Sequence, residues 1–118
     1  MICVVWNGWA VSVNDWHVIR NGRIHASKEY ESFISSIAWA IKAECQQPLG
    51  HVNLLIASSL NRSFDHHNLS KPICDALERA GVVENDRNIG IVTLWPPERH
   101  KRGCIDEIRI FIMKQDAA

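Results

Sequence analysis

The stretch from Val52 to Leu60 is the strongest single constraint on the fold, because it is largely apolar and contains no charged side chain. Gly50 precedes it, and the polar pair Asn61-Arg62 follows it. Such a run with turn residues at both ends is typical of a strand inside a sheet. At nine residues it is too short to cross a bilayer. The segment therefore predicts a buried central strand.

Two helices are predicted, one on each side of that strand in the sequence. Ser27 is a favourable N-cap, and apolar residues recur at helical spacing over residues 28–45. The second helix is predicted from Ser70 to Ala80 and ends at Gly81, a residue suited to a helix C-terminus.

Shorter apolar segments predict the remaining strands. They are Met1–Trp6, two arms around an Asn21-Gly22 turn, Ile89–Trp95 and Ile105–Met113. We expect the last two to pair as a hairpin across a long loop over residues 96–103. The order of elements predicts one α+β domain spanning residues 1–118, a two-layer fold with a mixed β-sheet and two helices on one face.

Charge and cysteine content narrow the functional classes only slightly. Thirteen Lys and Arg balance thirteen Asp and Glu, so net charge neither indicates nor excludes nucleic acid. Residues 1–6 have no basic region and no small-residue cleavage site, so we expect neither a signal peptide nor a membrane anchor. The scattered cysteines Cys3, Cys45, Cys74 and Cys104 could form two disulfides, but we expect buried, reduced thiols in a cytoplasmic protein.

The segment between the central strand and the second helix has the densest cluster of residues suited to catalysis. Asp65 and His67 are two apart, so on an extended chain they point to the same side. Asn68, Lys71 and Asp75 fall on one face if the helix is regular.

A further carboxylate follows the second helix at Asp86. If Asp65, Asp75 and Asp86 converge beside His67, the carboxylates repel one another unless a cation binds them. Mg²⁺ or Mn²⁺ suits such oxygen ligands, and Lys71 would be placed to contact a phosphate.

Simpler explanations exist for each of these residues. Asp65 or Asn68 could cap the second helix, and Asp75 could pair with Arg79 four residues later. His67 could be structural, and Lys71 an ordinary exposed lysine.

The segment from Asp65 to Asp86 resembles the signature of RusA-type Holliday-junction resolvases. That signature has Asp-x-Asp-Asn, a Lys three residues after the Asn, an Asp four after the Lys, then Ala-Leu, Gly and a closing acidic pair. Upstream, Ser12-Val13-Asn14 and the run from Arg23 to Ser27 are similar to the family's Ser-x-Asn element and the hairpin that leads into its first helix.

The resemblance implies a small homodimeric, Mg²⁺-dependent endonuclease that resolves four-way DNA junctions by paired symmetric nicks. It also implies a bacterial host cell and a phage or prophage origin, with roles in DNA recombination and repair. By position in the motif, the catalytic residues are Asp65, His67, Lys71 and Asp86, and the metal ligands are Asp65, His67, Asp75 and Asp86. A metal-activated water would attack the phosphate, assisted by the charge of Lys71.

Two residues depart from the signature: His67 replaces the second aspartate, and Asn85 replaces the first member of the closing pair. Because imidazole suits Mn²⁺ better than Mg²⁺, we expect Mn²⁺ to be tolerated or preferred. The alternatives are a catalytically impaired branched-DNA-binding protein of the same fold and a structural or regulatory phage dimer.

DNA contacts are expected from local basic patches. Arg99, Lys101 and Arg102 would form one patch with His100 at the tip of the predicted hairpin. Arg20 and Arg23, with Trp9 and Trp16 nearby, would form a second. Asn68 and Lys71 would contact DNA at the site itself. The first patch could equally be a solvated loop without a partner.

Overall fold

The structure is a computed structural model that describes residues 1–11, 17–61, 64–100 and 104–115, with backbone only for 17–20 and 23–26. Its strands are β1 (Ile2–Gly8), β2 (His17–Arg20), β3 (Arg23–Ala26), β4 (Val52–Asn61), β5 (Ile89–Leu94), β6 (Glu98–His100) and β7 (Asp106–Lys114). Its helices are α1 (Lys28–Glu44) and α2 (Ser70–Arg79), with single 3₁₀ turns at His66–Leu69 and Asp86–Asn88.

The main sheet is mixed, with β7 between β1 and β4 and antiparallel to both. On the other side of β4, β5 and then β6 run parallel to it. Strands β2 and β3 form a separate hairpin. The predicted α+β architecture with a mixed sheet is confirmed.

The helices cover one face of this sheet. Alternate residues of β4 and β7 are buried, as strand geometry requires when one face is covered and the other is open. Helix α1 contributes the matching apolar stripe, Tyr30, Phe33, Ile34, Ile37, Ala38 and Ile41. The single-face arrangement of the two helices follows from this shared core.

Local signals in the sequence correctly located the helix ends and the short turn. The Ser27 hydroxyl accepts a hydrogen bond from the Tyr30 N–H at 3.1 Å, so Ser27 caps α1 as predicted. Gly81 follows α2 with φ of 79°, and Asn21 and Gly22 have φ of 51° and 72° between β2 and β3. In the described part of the chain, no helix is both long and apolar enough to cross a membrane.

The predicted hairpin between β5 and β7 is wrong. The two strands lie on opposite sides of β4, and the segment expected to be a loop contains β6, which pairs with residues 59–61 of β4. Proline has no backbone N–H, so Pro96 and Pro97 interrupt strand pairing between β5 and β6. After the prolines, β6 pairs along the same edge of β4 as β5 does. The chain reaches the other side of β4 only with β7.

The cysteine prediction is confirmed only in part. All four thiols are free. Cys45 is buried and Cys74 is half-buried, but Cys3 and Cys104 are exposed, so the expectation of four buried thiols is wrong. Cys3 lies in β1 on the open face of the sheet, where no helix covers it.

Candidate functional site

A 3₁₀ turn, rather than an extended segment, brings Asp65 and His67 together. Asp65 is the N-cap of that turn, and its Oδ1 accepts a hydrogen bond from the His67 N–H at 3.0 Å. Its carbonyl accepts from the Asn68 N–H, also at 3.0 Å. Strand alternation was therefore the wrong reason for expecting Asp65 and His67 to be neighbours. Capping by Asp65 is real, although it serves the 3₁₀ turn and not α2.

This turn carries three neighbouring side chains of types that can ligate a metal ion. One ligand atom from each of Asp65, His66 and His67 lies within 4.8 Å of the others. The two imidazole rings have centroids 4.2 Å apart and are tilted by 33°. His66 was not among the predicted ligands, although its position beside His67 was visible in the sequence.

Local charge affects the protonation of His66. Desolvation, together with the charges of His67 and Arg99, lowers the pKa of the His66 imidazole, and the Asp65 carboxylate opposes that shift. The Arg99 guanidinium is thus electrostatically linked to this turn although it comes from a different strand.

A cleft of about 410 Å³ adjoins the turn and is lined by four of the five predicted catalytic and metal-binding residues, all except Asp65. It is lined by His67, Asn68, Ser70, Lys71, Cys74, Asp75, Asp86, Ile89 and Val92. Asn68, Lys71 and Asp75 face it together, as their spacing predicted. Asp75 and Asp86 line the cleft but do not join the three-residue group. A second concavity, of about 330 Å³, contains none of the predicted residues.

Asp75 is held by two neighbours. The Lys71 ammonium lies 3.3 Å from its Oδ2, and the buried Tyr30 hydroxyl donates to the same oxygen at 3.4 Å. Burial first, and then the Asp75 charge, raises the pKa of Tyr30 to about 12. The alternative pairing of Asp75 with Arg79 is wrong, because Arg79 instead contacts Glu31 at 2.9 Å.

Asp86 begins the second 3₁₀ turn and is exposed. The preceding Asn85 caps this turn: its Oδ1 accepts from the Arg87 N–H at 2.9 Å. The Asn88 side chain accepts in return from the Asn85 N–H at 3.2 Å. Asn85 therefore caps a turn at the position where the RusA-type signature has an acidic residue.

The surroundings of Cys74 in the cleft raise the pKa of its thiol. Burial, followed by the Asp75 charge, raises its pKa from 9.0 to about 11, and Asp86 contributes in the same direction. A hydrogen bond with Ser70 and the charge of Lys71 oppose this shift. Both carboxylates line the same cleft as this thiol.

We expect Cys74 to be far less reactive toward iodoacetamide at pH 8 than the exposed Cys3 and Cys104. The thiolate is the reactive form. Raising the pKa of the Cys74 thiol from 9.0 to about 11 lowers its thiolate fraction at pH 8 by about 100-fold. Timed alkylation with peptide mass mapping measures all three thiols in one sample. Alkylation of Cys74 as fast as of Cys3 would contradict the described cleft.

Arg99 and His100 lie in β6 and not at the tip of a hairpin between β5 and β7, so the predicted position of the first basic patch is wrong for these two residues. The Arg99 guanidinium turns back to the β4–α2 connection, where it donates to the carbonyl oxygens of Phe64 and, at 3.3 Å, Asn61. Lys101 and Arg102 lie outside the described residues.

The second predicted basic patch can be placed only by its backbone. Arg20 and Arg23 pair across the β2–β3 hairpin, and their side chains lie outside the described structure. Trp9 is exposed, whereas Trp16 and the Ser12-Val13-Asn14 element lie outside the described residues.

Asp106 is a structurally important residue that sequence reasoning missed. It is 3% exposed, and its carboxylate accepts from the N–H groups of Ala10 at 2.9 Å and Asn61 at 2.8 Å. The His100 Nε2 lies 3.0 Å from the same carboxylate. Asp106 thus joins three segments near the ends of β1, β4 and β6. Nothing in the sequence distinguishes it from an ordinary surface acid, because carboxylates are usually exposed.

The chain matches no protein-family model and no curated protein. The resemblance to RusA-type resolvases therefore rests on the residues themselves.

Proposed function

We propose that this protein is a RusA-type, structure-selective endonuclease that depends on a divalent metal and nicks branched DNA. One observation carries the proposal: His67, Asn68, Lys71, Asp75 and Asp86 of the resembling motif line a single cleft, with Asp65 on the adjoining turn. From Asp65 to Asp86, these residues span 22 positions of the sequence, and they belong to two 3₁₀ turns and a helix.

The donor set fits a divalent cation. Asp65 offers a carboxylate oxygen and His67 an imidazole nitrogen within 4.8 Å of each other, and Asp86 offers a further carboxylate on the cleft. When bound, such an ion would polarise a phosphate and lower the pKa of a water ligand. The imidazole favours Mn²⁺ over Mg²⁺ relative to an all-carboxylate site.

Lys71 is suited to binding the phosphate. Its side chain is 53% exposed at the cleft, so the ammonium can reach a ligand in solvent. The Tyr30–Asp75–Lys71 contacts restrict where the ammonium points. In this proposal Asp75 orients Lys71, and the positive charge of Lys71 stabilises the negative charge that develops on the phosphate.

The remaining DNA contacts belong to the proposal as well. Arg20, Arg23, Lys101 and Arg102 are proposed to follow phosphates away from the cleft. Arg99 is proposed to contact DNA nearer to the cleft, because its guanidinium contacts the β4–α2 connection that carries the site. A four-way junction has two symmetric strands to nick, so a twofold homodimer with two sites is the expected assembly.

A second candidate is a branched-DNA-binding protein of the same fold with impaired cleavage. The observation that favours it is the separation of the acids: within the described residues, only Asp65 contributes a carboxylate to the group whose ligand atoms lie within 4.8 Å. In addition, Asn85 is an amide engaged in capping, not a ligand acid.

Cleavage of a labelled synthetic four-way junction tests both candidates, with linear duplex of the same sequence as the reference substrate. We expect paired nicks in the junction alone, at a rate in Mn²⁺ at least equal to that in Mg²⁺. Glu84→Gln is the matched control for the Asp65→Asn variant, because Glu84 is an exposed acid of the same segment that does not line the cleft. Tight junction binding without nicks in either metal would select the second candidate, and absence of both would reject the two together.

A further inference from the structure

We infer that Asp65, His66 and His67 together form a binding site for a transition-metal ion of the Zn²⁺, Co²⁺ and Mn²⁺ class, with His66 as a direct ligand. This inference deepens the proposed function, on which it rests for the location of the metal. It adds a ligand that the resembling motif does not contain, and it assigns a class of metal to the site.

The arrangement of donor atoms supports the inference. One atom from each of the three side chains lies within 4.8 Å of the others. In four-coordinate sites with bonds of about 2.0–2.2 Å, ligand atoms are about 3.4 Å apart. Because Asp65 and His67 are exposed, small side-chain rotations can close that difference without disturbing the core.

The donor atoms are also available. Neither imidazole has a hydrogen-bond partner in the part of the chain that the structure describes, in contrast to His100, which Asp106 holds at 3.0 Å. The Asp65 Oδ1 accepts from the His67 N–H, and among the described residues its Oδ2 accepts from no donor. One donor atom of each side chain therefore lies close to the other two, and among the described residues neither imidazole is held by a hydrogen bond.

The turn that carries them is anchored at both ends. Phe64 precedes the turn and its cap, Leu69 is the last residue of the turn, and they are 9% and 0% exposed. The Arg99 guanidinium additionally contacts the Phe64 carbonyl. A ligand group on an anchored backbone loses less conformational freedom on binding, which favours affinity.

The chemistry of the donors selects the metal. Two imidazole nitrogens and one carboxylate suit Zn²⁺, Co²⁺ and Mn²⁺, whereas Mg²⁺ prefers oxygen ligands. Three protein ligands also leave open positions for water or a phosphate oxygen, as in catalytic rather than structural sites. The more distant Asp75 and Asp86 are not needed to complete this site.

Metal binding by the full chain, free of DNA, tests the inference directly. Co²⁺ titration followed by visible absorption, and Zn²⁺ titration by calorimetry, are run on the wild type, His66→Asn and His66→Gln. His51→Asn is the matched control, since His51 is an exposed histidine outside the site. Circular dichroism and thermal unfolding of each variant check that the fold is retained.

We expect one ion per chain, with Zn²⁺ bound far more tightly than Mg²⁺. Loss of a group that only supports a ligand costs about 10–100-fold in affinity, so loss of His66 should cost about 100-fold or more. The His51→Asn affinity should equal that of the wild type. Absence of Co²⁺ or Zn²⁺ binding, or equal affinity in folded His66 variants, would overturn the inference.

The result is separable from the proposed function. His66-dependent Zn²⁺ binding by a chain that does not nick junctions would retain this site and reject the nuclease. Junction nicking by a chain whose Zn²⁺ and Co²⁺ affinities are unchanged by His66→Asn would retain the nuclease and reject His66 as a ligand.

Discussion

Asp65→Asn is expected to reduce junction cleavage by about 10³-fold or more. A bound metal ion supplies several kcal/mol of transition-state stabilisation, and each 1.4 kcal/mol or so corresponds to a tenfold change in rate. In the proposed mechanism, the substitution removes the negative charge that would hold the cation. Single-turnover cleavage of a labelled four-way junction, with enzyme in excess, measures the effect on the chemical step.

The structure explains why this substitution should leave the fold intact. Asp65 accepts a hydrogen bond from the His67 N–H through Oδ1, and asparagine is an equally good N-cap. Junction affinity should remain within about twofold, because phosphate contacts by basic residues dominate DNA affinity. Glu84→Gln controls for the loss of one acid near the motif. Unchanged cleavage by Asp65→Asn would remove Asp65 from the proposed catalytic residues.

The second large effect is expected on stability. Asp106→Ala should lower the free energy of unfolding by about 2–5 kcal/mol, because each buried donor left without its acceptor costs about 1–3 kcal/mol. It would take the acceptor away from the N–H groups of Ala10 and Asn61 and from His100. Domains of this size are typically stable by only about 5–15 kcal/mol. Urea unfolding followed by tryptophan fluorescence gives the change in midpoint.

Asp106→Asn provides the matched comparison for this test. An amide keeps one oxygen acceptor but turns an N–H₂ group toward a backbone donor, so we expect a loss smaller than that of Asp106→Ala. Arg109→Ala, at an exposed position three residues further along β7, should leave the urea midpoint close to that of the wild type. An Asp106→Ala protein as stable as the wild type would show that the described network contributes little.

Elements encoded by neighbouring residues were predictable from the sequence. The helix that begins after Ser27 has a cap, an apolar stripe and acids in its first turn, all within one short segment. The Asn21-Gly22 turn likewise needs only two residues able to adopt positive φ. The helical spacing of Asn68, Lys71 and Asp75 placed them on one cleft for the same reason.

Features that depend on distant partners were not predictable in the same way. The side of β4 on which β5 and β7 lie is decided by pairing across the sheet, and no local pattern encodes it. Arg99 appeared to be a free basic residue because its acceptors, the carbonyls of Asn61 and Phe64, lie far from it in the sequence. Asp106 was overlooked because its burial depends on three separate segments.

The placement of β7 has a consequence for how the molecule is made. Strand β7 lies in the interior of the sheet. Its Ile112 pairs with Ile2 of β1, and its Ile110 pairs with Ile56 of β4. During synthesis on the ribosome, β1 and β4 therefore emerge before the strand that connects them exists. Such long-range pairing slows folding. The nascent chain can form its helices early, but its sheet can close only after residues up to Lys114 have left the exit tunnel.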